Sequence, residues 1–473
     1  MLPRVTAAAL VAAAACWTST ASALNLPNVY DNYNTIPIGS RAAGMGGAYT
    51  ALACDEASLH YNVASLSCAA SSHLELTANA YVLQGAFARG ELGKGEDVSA
   101  TTFHSIPSIV GAVRVLREGS ERTRFATYPG RLSFGFTVSI PSTVALKVDP
   151  PHPNELNFAS FSVRDDLTAG DLGLAYQINR EIAVGVSVGG VMRTAEQHLS
   201  WLLVRGSGSF CPAHDCADYV SYDATRSYLA IGLRAKAGLL VRPIKNFSFG
   251  LALTTPTLHI YGSAKESSTY TRASAHGFEA IPLRAVGVSE VGLPLRLVVG
   301  MAYVKKRYTF TGDVSLNFPR QVRFARDMVA QPINGLAPTE AAVNAAVDRS
   351  INPTFQPNIA LGASVPFGPE KELNIGFFTD FSSVSPADVA QQGSDRIHMV
   401  GGSMTLGLLG KQSRVWVGTS GEVGHTTTRV PGRSFNYETF AALPAGTLPG
   451  GGDATLVRWT LTGILGSNYS FLE

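Results

Sequence analysis

The side chains with the clearest capacity for chemistry are the cysteines. Cys16 lies in an N-terminal stretch that we expect to be removed, which leaves four: Cys54, Cys68, Cys211 and Cys216. Four thiols allow three connectivities in an oxidising compartment, and proximity favours Cys54–Cys68 and Cys211–Cys216. A metal site of Cys211, His214 and Cys216 is the alternative. Because two thiols in an exported loop usually oxidise, we expect disulfides and no metal.

Other patterns that could support catalysis or cofactor binding are incomplete. Gly44-Met45-Gly46-Gly47 lacks the Gly-Lys-Ser/Thr ending and the strand–helix frame of a phosphate-binding loop. Asp55 and Glu56 are adjacent, so they would point in different directions on a helix. No Gly-x-Ser-x-Gly elbow occurs in a strand–turn–helix context. We therefore expect neither an enzyme nor a nucleotide or redox cofactor.

Composition and the first residues indicate export to a membrane. Arg4, the apolar residues 5–15 and Ala21-Ser22-Ala23 have the order of a secretory signal, so residues 1–23 are predicted to be removed. A transmembrane anchor is the alternative, but the apolar run is short for one. Charged residues make up 15% of the chain, below the roughly 25% of soluble domains. The net charge of +2 predicts no nucleic-acid partner.

From about residue 74 onward, apolar and polar residues alternate. Leu132, Phe134 and Phe136 alternate with Ser133 and Gly135, for example. A period of two places successive side chains on opposite faces of a sheet. Fourteen strands are predicted, near 74–88, 99–115, 131–144, 157–178, 182–204, 226–241, 247–262, 283–304, 307–317, 355–366, 372–383, 396–409, 413–426 and 456–471. An apolar outside and a polar inside are typical of a transmembrane β-barrel.

The links between these strands alternate in length, as do the periplasmic turns and outer loops of such barrels. The long links are predicted at 147–156, 206–225, 263–282, 319–353, 385–395 and 427–455, with a short helix at 338–347. Charges predicted to face the lumen are Arg234, Lys236, Arg296, Asp313, Asp380 and Arg458. Each of these charged side chains would cost about 2–4 kcal/mol if it faced lipid. We expect them to pair with residues that plug the lumen, with an ion pathway as the alternative.

Residues 24–72 do not alternate and contain two motifs. The first is Ser40-Arg41-Ala42-Ala43-Gly44-Met45-Gly46-Gly47-Ala48, and the second is Tyr61-Asn62-Val63-Ala64-Ser65-Leu66. With the barrel that follows, they resemble the FadL/TodX family of outer-membrane transporters for long-chain fatty acids and other hydrophobic compounds. They also resemble the related PorV-type barrels of protein secretion.

The resemblance implies a fold and a set of site residues. Residues 24–72 would form a small helical hatch in the lumen of a barrel of about 14 antiparallel strands built from residues 73–473. Asn62, Val63 and Ala64 stand where the family has Asn-Pro-Ala; Val63 neither fixes φ nor removes a donor as proline would. The family's third strand has a kink that opens into lipid, and Gly135 and Pro141 are the candidates here. Alternatively, Gly135 fills a crowded position and Pro141 ends the strand.

The resemblance also implies a function. We expect a monomer in the Gram-negative outer membrane, surrounded by its lipids, that passively takes up hydrophobic small molecules such as long-chain fatty acids. The hatch would gate passage and the wall would release the ligand laterally. Alternatively, a PorV-like barrel docks a secreted protein on its outer loops. A lumen sealed by charge pairs would favour docking, and a continuous apolar tunnel would favour transport.

Overall fold

The structure is a computed structural model of the 473-residue chain. It describes residues 28–33, 37–69, 71–77, 80–89, 98–106, 108–120, 127–148, 158–204, 217–274, 277–338, 343, 348–392, 396–410, 413–429, 435–436, 441–442 and 453–470. The predicted signal peptide, the predicted Cys211–Cys216 pair and the alternative metal site lie outside these residues.

Short helices precede a long series of strands. The helices are α1 (Ser40–Gly44), α2 (Ser58–Tyr61), a 3-10 helix (Val63–Cys68) and, much later, α3 (Pro386–Gln392). The strands are β1 (His73–Thr77), β2 (Ala80–Arg89), β3 (Val98–Ile106), β4 (Ile109–Arg117), β5 (Leu132–Val148), β6 (Phe158–Gln177), β7 (Ile182–Val204), β8 (Ala217–Val241), β9 (Phe247–Thr254), β10 (Leu258–Ser274), β11 (Gly277–Val288), β12 (Arg296–Lys305), β13 (Tyr308–Asn317), β14 (Val322–Ala330), β15 (Arg349–Ile351), β16 (Gln356–Pro366), β17 (Lys371–Asp380), β18 (His398–Leu409), β19 (Ser413–Arg429), β20 (Phe435–Asn436), β21 (Ala441–Ala442) and β22 (Asp453–Ser470).

All of these strands except the small hairpin β20–β21 belong to one sheet of 20 segments. Six pairs of segments continue one another along a barrel strand: β1/β2, β3/β4, β9/β10, β11/β12, β13/β14 and β15/β16. The other eight segments each form a barrel strand alone. The last segment, β22, pairs with both β1 and β2, and this pairing closes the sheet. The predicted closed antiparallel barrel of 14 strands is confirmed.

The alternating exposure of β8 shows how the wall divides lipid from lumen. Leu233 points outward and is 41% exposed, whereas the side chains of Arg234 and Lys236 are buried inside. Towards the end that carries the long loops, called the outer end here, the outward positions become polar, as at Asp223 and Ser227. The apolar part of this face forms the band that meets the hydrocarbon layer.

Three predicted outer loops are wrong in extent because strands continue into them. β8 begins at Ala217, β10 and β11 occupy most of 263–282, and β14 and β15 lie within 319–353. Of the segment 338–347, predicted to be a short helix, the structure describes only Pro338 and Val343. Above the hydrocarbon layer the outward side chains of these strands are polar. The alternation with an apolar outward face, from which the other strands were predicted, is therefore absent there. Within the described residues, no helix is long and apolar enough to span a bilayer.

Candidate functional site

The N-terminal segment, defined as residues 28–33 and 37–69, lies inside the barrel. The amide of Gly46 donates to Ser403 Oγ at 3.0 Å, and Ser403 Oγ donates to the carbonyl of Gly44 at 3.2 Å. Arg41 Nε pairs with Glu372 Oε1 at 3.1 Å. These contacts fasten α1 and the turn after it to β17 and β18.

The turn after α1 explains why its sequence is rich in glycine. Gly46 and Gly47 have φ of 66° and 78°, a region that side chains disfavour. A Cβ on Gly46 would also lie 2.9 Å from the backbone nitrogen and oxygen of Phe377. Met45, the residue before Gly46, is fully buried and packs into the apolar side of the segment. The glycines thus serve a tight turn against the wall.

Asn62 fastens the second motif. Its Nδ2 donates to the carbonyls of Thr50 and Leu239, each at 3.0 Å, and its Oδ1 accepts from the amide of Ala64 at 3.2 Å. The last bond caps the 3-10 helix. Val63 is 2% exposed and Ala64 is fully buried. One side chain therefore links two parts of the segment to β8.

Inward-facing glycines of the wall surround the N-terminal segment. A Cβ added at any of them would lie 2.0–3.2 Å from an atom of the segment. We call this set the glycine collar: Gly111, Gly135, Gly173, Gly185, Gly238, Gly250, Gly300, Gly362 and Gly376. Eight of its members face one another across adjacent strands, as Gly185 faces Gly238. The missing side chains let the backbone of the segment pack directly on the wall.

The glycine collar was not predicted from the sequence. Its only signal was the total of 47 glycines, which gives no register. The collar also explains Gly135, whose added Cβ would lie 3.1 Å from Leu66 Cδ2. Gly135 therefore occupies a crowded inward position.

Two of the six predicted lumen charges share one carboxylate. Lys236 Nζ lies 2.8 Å from Asp171 Oδ2, and Arg234 Nη2 lies 3.4 Å from the same oxygen. Lys236 Nζ also donates to the carbonyl of Leu59 at 2.7 Å. The group neutralises part of the lumen charge and ties β8 to α2.

Asp313 and Asp380 contact the N-terminal segment elsewhere. Asp313 Oδ2 accepts from the amides of Tyr49 and Thr50 at 2.9 and 2.8 Å. Asp380 is fully buried, and its backbone carbonyl accepts from Asn32 Nδ2 at 2.8 Å. The predicted charges therefore lie in the lumen at several separate places.

The remaining two predicted charges differ in their surroundings. Arg458 is half-buried on β22. Arg296 lines a cavity of about 70 Å³ between the segment and β9, β12, β13 and β16, together with Asp313, Thr50 and His60. Burial, reinforced by nearby cations of the wall, holds the pKa of His60 well below its usual value. The cavity is small, so it offers no passage for a hydrophobic molecule.

Replacing Asp171 with asparagine is expected to destabilise the barrel by about 3–5 kcal/mol, because two buried cations would lose their counter-charge. Thermal unfolding of the purified protein in detergent measures the effect. Asp223→Asn is the control, since the Asp223 side chain is 59% exposed, and should leave Tm unchanged. Equal Tm values for the two variants would contradict the role of the buried group.

The predicted Cys54–Cys68 disulfide is confirmed. The two Cα atoms are 5.2 Å apart, and the bond joins the loop before α2 to the end of the 3-10 helix. The disulfide joins residues on either side of Asn62 in the sequence and so stabilises the second motif. Among the described residues, no group of three or more histidine, cysteine or acidic side chains is placed to hold a metal ion.

Strand β5 of the wall changes direction at Pro141. Its register with β6 shifts between Ser139 and Ser142, which marks a bulge, and proline has no amide to give to a ladder. Beyond the bulge both faces are buried: Val144 and Ala145 point to opposite sides and are 3% and 7% exposed. β5 therefore does not end at Pro141, and its outer part turns into the lumen.

Gln84 on β2 holds this outer part of β5. Its Oε1 accepts from the amide of Ala145 at 2.8 Å, and its Nε2 donates to the carbonyl of Thr143 at 3.2 Å. The ladder from β4 reaches β5 as far as Ser139. Within the residues described, no ladder pair joins β3 to β5. A side-chain amide thus replaces a missing strand pair at a break in the wall.

An apolar cluster of buried side chains lies in the outer half of the lumen and reaches this break. It contains Val29, Tyr30, Ala100, Val144, Leu146, Val163, Leu167, Val191, Ala195, Tyr228, Ala230, Ala264, Val291, Leu293, Val322, Phe324, Ala325 and Ile351. Ala100 belongs to β3, and Val144 and Leu146 belong to β5. The buried apolar side chains are therefore in continuous contact from the centre of the outer lumen to both edges of the break.

The closed barrel, its apolar outer band and the segment inside its lumen define an outer-membrane-type β-barrel. No protein-family model matches the chain, and no curated protein matches it in sequence. Solved structures do match its fold. A FadL homologue from Pseudomonas aeruginosa has a TM-score of 0.62 at 11% identity, covering 93% of this chain and 100% of the homologue.

Two toluene transporters have the same architecture. TodX from P. putida has a TM-score of 0.59 at 14% identity, over 94% of this chain and 100% of TodX. TbuX from Ralstonia pickettii has a TM-score of 0.56 at 14% identity, over 92% of this chain and 98% of TbuX. This protein thus has the fold of the FadL-type barrels over nearly its whole length.

Proposed function

We propose that the protein is an outer-membrane channel for the passive uptake of hydrophobic small molecules. A ligand enters the outer lumen, moves over the apolar cluster, and leaves through the break between β3 and β5 into the membrane. The observation that carries the proposal is the continuity of the apolar cluster from the outer lumen to this break. The similar structures, two toluene transporters and a FadL homologue, agree with this class of cargo.

Lateral exit also fits the closed lower lumen. The N-terminal segment lies against the wall through the glycine collar, and direct passage would have to displace it together with the Asp171–Lys236 pair. A molecule that leaves above the segment avoids this cost. Residues 37–69 then act as a fixed floor under the ligand path, and Val63 in place of proline adds packing to that floor.

The sealed lower lumen also supports a second function, docking of a secreted protein on the outer loops as in PorV-type barrels. Charge pairs and backbone contacts close the barrel at the level of the segment, as docking without transport would allow. The two proposals differ in whether a small molecule enters the outer lumen and leaves it through the wall.

Binding and uptake of a fluorescent long-chain fatty acid and of radiolabelled toluene separate these proposals. Transport predicts saturable binding to the purified protein and faster uptake by vesicles that contain it. Asn62→Ala is expected to weaken binding, because it releases Thr50, Leu239 and the start of the 3-10 helix together. Asn352→Ala, at an exposed position, is the control. A folded barrel that binds and passes neither compound would favour docking.

A further inference from the structure

Three neighbouring turns at the inner end of the barrel, opposite the end with the long loops, carry an excess of positive charge. They join β8 to β9, β12 to β13, and β16 to β17. Together with the strand residues that flank them, they expose five cations and one acid: Lys245, Lys305, Lys306, Arg307, Lys371 and Glu370. We call the five cations the basic rim. The turn between β6 and β7 is balanced by contrast, with one exposed cation, Arg180, and one exposed acid, Glu181.

Hydrogen bonds join the three turns into one continuous surface. The amide of Val304 donates to the carbonyl of Asn246 at 2.8 Å, which links the first turn to β12. Arg307 Nη1 donates to the carbonyl of Gly368 at 2.7 Å, and its Nη2 donates to the carbonyl of Lys371 at 3.3 Å. The basic rim is therefore a fixed arc along one side of the barrel end.

Two members of the basic rim lie on the face of the wall that meets lipid. On β12, Lys305 continues the outward row of Val299 and Met301, which are 49% and 57% exposed. On β17, Lys371 begins the outward row that contains Ile375, which is 48% exposed. Side chains two residues apart share a face of a strand. Both lysines therefore extend from the lipid-facing side of the wall, at the inner edge of the apolar band.

Aromatic side chains lie beside these lysines. Tyr308 is opposite Lys305 in the ladder between β12 and β13 and is 47% exposed. Phe367, which is 65% exposed, belongs to the turn that ends at Lys371. A surface that combines cations with apolar rings fits a molecule with an anionic head and apolar chains. A water-soluble acidic partner would match the cations and leave the outward-facing rings unused.

The backbone at Lys306 indicates that its side chain has a role besides turn formation. Lys306 has a φ of 57°, a region that glycine enters freely and most side chains disfavour. The turn before β9 has Asn246 at a φ of 78°, and asparagine tolerates this conformation. Glycine or asparagine would suit the turn at Lys306 better. The chain instead places a second cation there, next to Lys305.

We propose that the basic rim binds the headgroups of anionic phospholipids in the periplasmic leaflet of the outer membrane. The ammonium groups of Lys305 and Lys306 donate to the phosphate oxygens of the lipid. Its acyl chains lie along the outward face, beside Tyr308 and Met301. Basic side chains next to a membrane surface attract anionic lipids in this way. Because the basic rim covers only three turns, the barrel gathers anionic lipid on one side.

Native mass spectrometry of the full-length protein in detergent tests the proposal by titration with phosphatidylglycerol and with phosphatidylcholine of the same chain length. Wild type is expected to bind phosphatidylglycerol about tenfold more tightly, and concentrated ammonium acetate should reduce this preference because salt screens exposed charges. The double substitution Lys305→Gln with Lys306→Gln should remove the preference. Arg180→Gln is the matched control, since it removes an exposed cation from the same end of the barrel outside the basic rim, and should keep it.

Lys306→Gly separates lipid binding from stability. It removes a cation but suits the φ of 57°, so phosphatidylglycerol should bind more weakly while Tm is no lower than that of wild type. Equal affinity of wild type for the two lipids, or a double variant that keeps the preference, would overturn the inference. Glycerol phosphate that binds as tightly as phosphatidylglycerol would do so too, because it would show a site for a free phosphate compound. None of these results bears on uptake through the wall, so the proposed function would stand in each case.

Discussion

Replacing Gly185 with alanine is expected to push the N-terminal segment away from the wall. The new Cβ would lie 2.6 Å from the backbone nitrogen of Ala64 and the carbonyl carbon of Val63. Backbone atoms cannot rotate out of the way as a side chain can, so one methyl group forces the 3-10 helix to move. Overpacking of this kind costs about 1–3 kcal/mol. The expected results are a lower Tm, faster proteolysis of the segment, and higher ion conductance in planar bilayers.

The same strand provides the control for this experiment. A Cβ on Gly190, five residues further along β7, would meet nothing within 4 Å. Gly190→Ala should therefore have the stability and conductance of wild type, because it makes the same chemical change without the clash. If Gly185→Ala and Gly190→Ala behave alike, the segment is not packed on the collar as tightly as the structure shows.

The parts of the fold that alternation could predict are those in contact with lipid. The strand predicted at 182–204 is β7 as observed, because Val184, Val186 and Val188 face outward against the hydrocarbon layer. The same signal fails at the start of β8, where Asp223 faces outward and Tyr228 faces inward. Above the membrane the outward face meets water, and a polar outside with an apolar inside does not resemble the pattern lower in the wall.

The candidate site was predictable only in its local features. The pairing of Cys54 with Cys68 follows from their proximity in sequence. The glycine collar does not, because it needs the register of neighbouring strands, such as Gly185 opposite Gly238. The partner of Lys236 depends likewise on a residue of a strand two positions away around the barrel, Asp171 on β6. Such contacts arise from the register between strands, and a single strand carries no sign of them.

Replacing Gln84 with leucine is expected to reduce uptake while leaving ligand binding intact. The substitution removes the amide that satisfies Thr143 and Ala145 at the break in the wall. Each orphaned buried backbone group costs about 1–3 kcal/mol. Pairing with β3 would restore the lost bonds, so the outer part of β5 should return to the wall and close the break. If the substitution favours the closed wall over the open one by about 1.4 kcal/mol, the open fraction falls about tenfold. The uptake rate is expected to fall by the same factor.

The two readouts of this experiment test where the ligand leaves. If exit is lateral, Gln84→Leu keeps the affinity for the fluorescent fatty acid or toluene and loses uptake into vesicles. Gln197→Leu serves as the control, because Gln197 lies half-buried on β7, two strands from β5, and should leave uptake unchanged. Wild-type uptake by a folded Gln84→Leu barrel would show that the ligand does not pass through this break, since a closed wall cannot release it. The remaining route would run past the N-terminal segment, and Gly185→Ala should then increase uptake. The two variants, Gln84→Leu and Gly185→Ala, therefore assign the exit route whether or not Gln84→Leu reduces uptake.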